Sequence, residues 1–270
     1  MSMTPLPRGR FQAGMGIALV AAIALLALVS LVWTPHGGVP EAAAPLAEPG
    51  REHWLGTDQN GRDVVSALMS ATLMSLLLAW FATLVSLLIG VPLGAVLAAQ
   101  FGAGAMRQLM LVGILPAALC LGAIFGGLQV QSTLSVFLAI GLPSAVAATV
   151  ASRAVLAPVL AADYVSSARL AGLGWLGATQ RHVVPTAKPQ LIALGMELLA
   201  AAMLVEVTLS FAGLGVDGSG LSLGTMLRDG QQLAQVRPML VVAPGAVAVV
   251  SALALLLAAN GLRETRRGAA

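Results

Sequence analysis

Six stretches of this chain, at 12 to 33, 73 to 99, 108 to 128, 132 to 156, 190 to 212 and 239 to 260, are long and apolar enough to cross a lipid bilayer. A span needs roughly 20 mainly apolar residues, because about 1.5 Å of rise per residue must cover about 30 Å of hydrocarbon. In hydrocarbon every backbone N–H and C=O must find a partner within its segment or from a neighbour, so runs of this length fold as helices. The expected fold class is an all-α polytopic membrane protein of about six transmembrane helices. Only 9% of the residues are charged, against about a quarter in a soluble domain.

This pattern divides the chain into a tail at 1–11, a first helix at 12–33, one long loop at 34–72, a core at 73–262 and a tail at 263–270. If the six helices alternate, ten of the 14 cationic residues fall on one side: Arg8, Arg10, Arg107, Arg153, Arg169, Arg181, Lys188, Arg263, Arg266 and Arg267. Arg51, Arg62, Arg228 and Arg237 fall on the other. The positive-inside rule therefore puts both termini and the loop between the fourth and fifth spans in the cytoplasm, and the 34–72 segment outside. The basic charge is a topology signal; no basic patch points to nucleic acid. The first span is longer than a secretory signal core and is expected to stay as an anchor.

Chemistry is sparse. Lys188 is the only lysine, so no glycine-rich phosphate loop ending in lysine exists and the chain is not expected to be an enzyme. His36, His53 and His182 lack metal-ligand spacing, and no metal site is expected. Cys120 stands alone in an apolar run and is expected to be a small buried hydrophobe.

The outer segment changes character at "HWLGTDQNGRD", residues 53 to 63. Asn60-Gly61 is a turn signal, because both residues tolerate positive φ. A capped, salt-bridged turn using Asp58 and Arg62 is expected, with Asp63 capping a short helix that feeds the second span. A calcium loop fails, because Asp63 and Met69 stand where the template needs glycine and glutamate.

The fifth span holds two acids, and a charge at mid-membrane costs about 2.5–3.5 kcal/mol on insertion scales. Counted from Pro189, Glu206 lies about 25 Å along and reaches the outer interface, whereas Glu197 lies about 12 Å along and does not. Nine residues apart, about 900° around the helix, they point to opposite faces. For Glu197 two readings stay open, a protonated or helix-paired residue at a subunit contact and a direct contact with substrate.

Between the fourth and fifth spans lies "DYVSSARLAGLGWLGATQRHVVP", residues 163 to 185. Its first part reads as a short helix with Tyr164, Ala168 and Ala171 on one face and Ser167 and Arg169 beside it. Gly172 and Gly174 stop that helix, and "WLGATQRHVV" reads as a second one ended by Pro185. Two short helices at a glycine turn suit a knob that docks in a groove of another protein; an amphipathic hairpin lying on lipid is the other reading.

This stretch resembles the EAA loop of ABC importer permeases: E-A-A, three residues, G, nine residues, then I-x-L-P. Ser166-Ser167-Ala168, Gly172 and Val184-Pro185 occupy those places, with serine for the glutamate and His182 for the isoleucine. The resemblance narrows to the oligopeptide, dipeptide and nickel branch, of the kind called DppC or OppC. "HWLGTDQNGRDVVSALMSATLMSLLL", with Gly56, Thr57, Asp58, Gly61, Arg62 and Asp63, is similar to its outer segment and second span. "VEVTLSFAGLGV", "LSLGTML", "APG" and "NGLR" are similar to later parts, and Glu206 falls on a glutamate recurrent in that branch.

The resemblance implies a type I (MetI-like) permease fold in a bacterial inner membrane, forming half of a translocation pathway for peptides or a related small solute such as a metal chelate. It implies as partners a DppB/OppB-like permease, two ATPase subunits that bind ATP and Mg, an extracytoplasmic binding protein and membrane lipid. No cofactor is expected in this chain. Tyr164, Ser166, Ser167, Ala168, Arg169, Gly172, Gly174 and Pro185 would make the ATPase contact. The alternatives are a membrane scaffold that docks a soluble partner through residues 163–185, and an ion-coupled secondary transporter.

Overall fold

The computed structural model describes residues 8–35, 44–101, 117–125, 133–170, 174, 177, 179–215 and 221–267. The described residues are overwhelmingly helical. The chain runs through α1 (Arg8–Val29), α2 (Val64–Phe101), α3 (Thr133–Leu160), the short α4 (Asp163–Leu170), a π-helical turn (Thr179–Val183), α5 (Val184–Phe211), the short α6 (Leu223–Gln231) and α7 (Met239–Arg267). Five helices, α1, α2, α3, α5 and α7, are long and apolar enough to cross a membrane. The expected third span at 108–128 lies mostly outside the described residues; its 117–125 part is helical.

Two boundaries differ from the sequence reading. The second span is not preceded by a separate short helix: α2 runs unbroken for 38 residues from Val64, with Pro92 inside it. Its early hydroxyls are satisfied within the helix, Ser70 Oγ donating to Ser66 O at 3.1 Å and Thr72 Oγ1 to Leu68 O at 2.6 Å, so polar residues there do not end it. Likewise Pro185 does not end a short helix. It sits in the first turn of α5, where the missing N–H costs nothing because first-turn amides have no intrahelical acceptor.

Small residues set the helix packing. A Cβ on Gly90 would lie 2.5 Å from the Ala148 methyl, and one on Gly94 would lie 2.6 Å from Thr149 O and meet Ser152 Oγ. Ser152 Oγ donates to Gly90 O at 2.9 Å and Ser86 Oγ to Gly141 O at 3.1 Å, so α2 and α3 touch backbone to backbone. The same device joins α1 to α7, where Gly16 faces Ala254 and Ala258 and Gly261 faces Ala13. Water-driven burial does not operate between helices in lipid, so such close contact and hydroxyl bonds do the holding. Many large apolar side chains point outward, among them Leu25, Leu28, Trp80, Leu88, Val249 and Leu253, while Ile140, Leu194, Leu198 and Met203 fill the core. Cys120 is also exposed, contrary to expectation: lipid-facing and core-facing positions are equally apolar here, so composition does not separate them.

Candidate functional site

At one end of the bundle α4 leaves α3 and the π-helical turn enters α5. Val165, on α4, is buried in a cluster with Val183 and Ala187 of the α5 entry, Leu156 and Ala157 of α3, and Ala95 and Ala98 of α2. One side chain thus keys the short helix into three long ones. Tyr164 and Ser167 are exposed, Ser167 Oγ donating to Asp163 O at 2.9 Å. Arg181 and Pro185 are exposed as well. Helix α4 ends at Leu170, two residues before Gly172, which lies outside the described residues. The side chains of Ser166, Ala168 and Arg169 also lie outside them. Gly174 is exposed with open space around it and an ordinary φ, so nothing in the described geometry demands glycine there.

The opposite end carries the turn at 57–63. Thr57 and Asp63 form an antiparallel bridge, and Asp58 N donates to Arg62 O at 2.9 Å. Asp58 Oδ1 accepts from the backbone N–H groups of Asn60 and Arg62 at 2.8 and 2.9 Å. Asp58 therefore holds Arg62 through its main chain, in place of the expected salt bridge between their side chains. Gly61 takes φ +74°, the left-handed conformation that glycine adopts without strain; Asn60 does not need it. Asp63 caps α2: its Oδ2 accepts from Ser66 N at 2.8 Å and Ser66 Oγ at 2.9 Å, while Oδ1 meets His53 Nδ1 at 3.1 Å. These partners engage both oxygens of Asp63 and one of Asp58. Thr57 Oγ1 donates to Ala44 O at 2.7 Å and accepts from Ala47 N at 2.8 Å. Gly56, at φ +79°, packs against Ala47 O. Arg237, just before α7, donates to Leu46 O at 2.9 Å and Glu48 Oε1 at 3.2 Å, tying the segment to the bundle.

The two intramembrane acids have separate surroundings. Glu197 lies midway along α5 and forms a two-pronged ion pair with Arg263 of α7, Nη2 to Oε2 at 2.7 Å and Nη1 to Oε1. Glu206, near the far end of α5, is fully buried within the protein. Ser210 Oγ donates to its Oε1 at 2.8 Å, the hydroxyls of Ser75 and Ser222 also face the carboxylate, and Oε2 has no hydrogen-bond partner. Sequence reasoning missed Arg263, Ser75, Ser210 and Ser222. Arg263 was placed in the tail because hydropathy ends at 260, yet α7 runs on to Arg267. No signal in a single sequence marks a serine that meets another helix.

No family model matches the chain. It is similar to the nickel transport system permease protein NikC of Escherichia coli K12, 28% identical over 261 residues, covering 94% of this chain and 93% of the relative. A putative peptide transport system permease protein of Brucella suis is 30% identical over 264 residues, 95% of this chain and 87% of that protein. The di/tripeptide transport system permease protein DppC of Pseudomonas aeruginosa is 33% identical over 218 residues, 78% and 70%. The chain belongs to the ABC importer permeases of the peptide and nickel branch. This permease is the membrane-spanning transport subunit of an ATP-driven importer, and its all-helical bundle accords with the MetI-like fold. Members of that family work beside other permease subunits in a multi-pass assembly of the inner membrane.

Proposed function

We propose that this permease forms half of a translocation pathway for peptides or a related small solute such as a metal chelate, paired with a DppB/OppB-like subunit. Two ATPase subunits bind ATP and Mg and grip residues 163–185; a soluble binding protein delivers cargo at the end that carries the 57–63 turn. Both termini and the 163–185 segment face the cytoplasm, as the cation count favours. The chain itself hydrolyses nothing.

The observation that carries this reading is the continuity of the segment with the bundle. The π-helical turn runs directly into α5, and Val165 and Val183 are buried against α2 and α3. A pull on the exposed face of α4 therefore reaches α3 through a two-residue turn, and with it the cluster that α3 shares with α2 and the α5 entry. The test uses Ser167→Trp, which adds bulk to an exposed position and leaves the bundle alone. It should leave the amount of membrane-inserted chain unchanged, cut co-purification of the ATPases and abolish ATP-driven uptake. Wild-type uptake in that variant, or a wild-type chain that captures no ATPase, would overturn the assignment.

A further inference from the structure

Glu206 occupies a setting that the coupling segment does not explain. It lies near the far end of α5, fully buried, beneath the start of α6. That start is built tightly. Ser222 caps α6 in a reciprocal box with Thr225, Ser222 Oγ accepting from Thr225 N at 3.3 Å and Ser222 N donating to Thr225 Oγ1 at 2.8 Å. Gly224 follows, and a Cβ there would meet Val207 O and lie 2.5 Å from the Ser210 Cβ. Only a glycine lets α6 come so close to α5.

The attachment to α2 is of another kind. Leu223 N donates to Ser75 Oγ at 3.0 Å, and the Ser75 hydroxyl faces the Glu206 carboxylate. Ser75 thus accepts from α6 with its lone pair while its own O–H is available to Glu206. A carboxylate below a helix N-terminus is also favoured by the positive end of the helix dipole. The α5 side of this junction is close backbone contact at Gly224; the α2 side adds one hydroxyl bond to apolar packing of Leu223 and Met226. If α5 and α2 shift relative to each other, the hydroxyl contact yields first and α6 travels with α5.

We propose that Glu206 is a positioning residue for transport: with Ser210 and Ser222 it fastens the start of α6 to α5, so that movement of α5 carries α6 and opens or seals the pathway at this end. The inference rests on the importer reading above, since the movement of α5 is supplied from residues 163–185.

The test is made in the assembled importer in proteoliposomes. Spin labels go on Gln59→Cys and Gln232→Cys in a Cys120→Ser background, and the distance between them is measured with and without ATP and vanadate. In the parent the distance should change with nucleotide. Ser75→Ala should broaden the resting distance even without nucleotide. Glu206→Leu should abolish the nucleotide-dependent change and lower uptake by at least about fivefold, within the range of allosteric coupling, with ATPase subunits still bound. Should the leucine variant fail to assemble, Ser210→Ala, which removes the hydroxyl bonded to Glu206, decides in its place by the same loss. Parental distances and uptake in these variants would overturn the role of Glu206. A parent whose distance ignores nucleotide would instead overturn the importer reading on which it rests.

Discussion

The Glu197–Arg263 pair can be weighed by removing it one side at a time. Exposed ion pairs contribute about 0–1 kcal/mol, whereas breaking a buried pair costs about 3–5 kcal/mol. Here the side chains retain 27% (Arg263) and 14% (Glu197) of their exposure, and both carboxylate oxygens are engaged. The geometry places the pair between those limits, so Arg263→Met should cost about 2 kcal/mol. For a chain of this size that corresponds to a fall of roughly 4–8 °C in the unfolding midpoint in detergent. Arg263→Lys keeps the charge but loses the planar fork, and should cost about half as much. The deciding measurement is the double variant Glu197→Leu/Arg263→Met. Exchanging both partners for apolar groups of similar size leaves no charge to desolvate, so the midpoint should return to within a degree or two of wild type. A double variant that loses as much as the two single variants together would refute the pairing as the reason for Glu197 in this span.

Asp63→Ala removes the cap of α2 and should cost about 1 kcal/mol; hydrogen exchange should quicken at residues 64–67, with α7 unchanged. Gly94→Leu forces a side chain against Thr149 O and Ser152 Oγ, where overpacking costs about 1–3 kcal/mol. That variant should lower the yield of folded permease, whereas Leu88→Ala, on an outward-facing position, should not. One alanine inserted after Ala201 turns the end of α5 by about 100° and advances it by about 1.5 Å. It should leave the ATPases bound through residues 163–185 and yet abolish uptake; near-normal uptake would count against α5 as a transmitting element.

Hydropathy located the five described spans because lipid solubility is what it measures. It misplaced their ends for the same reason. Where α2 leaves the hydrocarbon, Ser66, Ser70 and Thr72 make the sequence polar, but their hydroxyls bond inside the helix and the helix continues. Where α5 begins, Pro185 reads as a stop, although a first turn accepts proline freely. Local chemistry was legible: the Asp63 cap and the Gly61 turn each depend on residues a few positions apart. Contacts across the bundle were not. Glu197 drew attention as a costly charge, but its partner lies 66 positions away in sequence. Ser75 meets Leu223 across 148 positions. Those distances are set by how helices assemble, and no periodicity within one helix records them.

Helix α5 joins these features in one element. Its entry is continuous with the segment that the ATPases are proposed to grip, its middle is held to α7 through Glu197 and Arg263, and its far end is held to α6 at Glu206 and Ser210. The middle attachment also involves α1, because Gly261, two residues before Arg263, packs on Ala13. A displacement applied at the entry would therefore be shared with α7 and α1 before it reaches α6, and once the entry cluster of Val183 and Ala187 with α2 and α3 yields, the three helices would move as a group against α2 and α3. The α2–α3 contact is stiff in its own right, through Gly90, Gly94 and Ser152. Two rigid groups meeting along α5 would confine relative motion to that seam. The Ser75–Leu223 bond crosses the seam at the end remote from the applied force, where a small rotation of α5 gives the largest displacement.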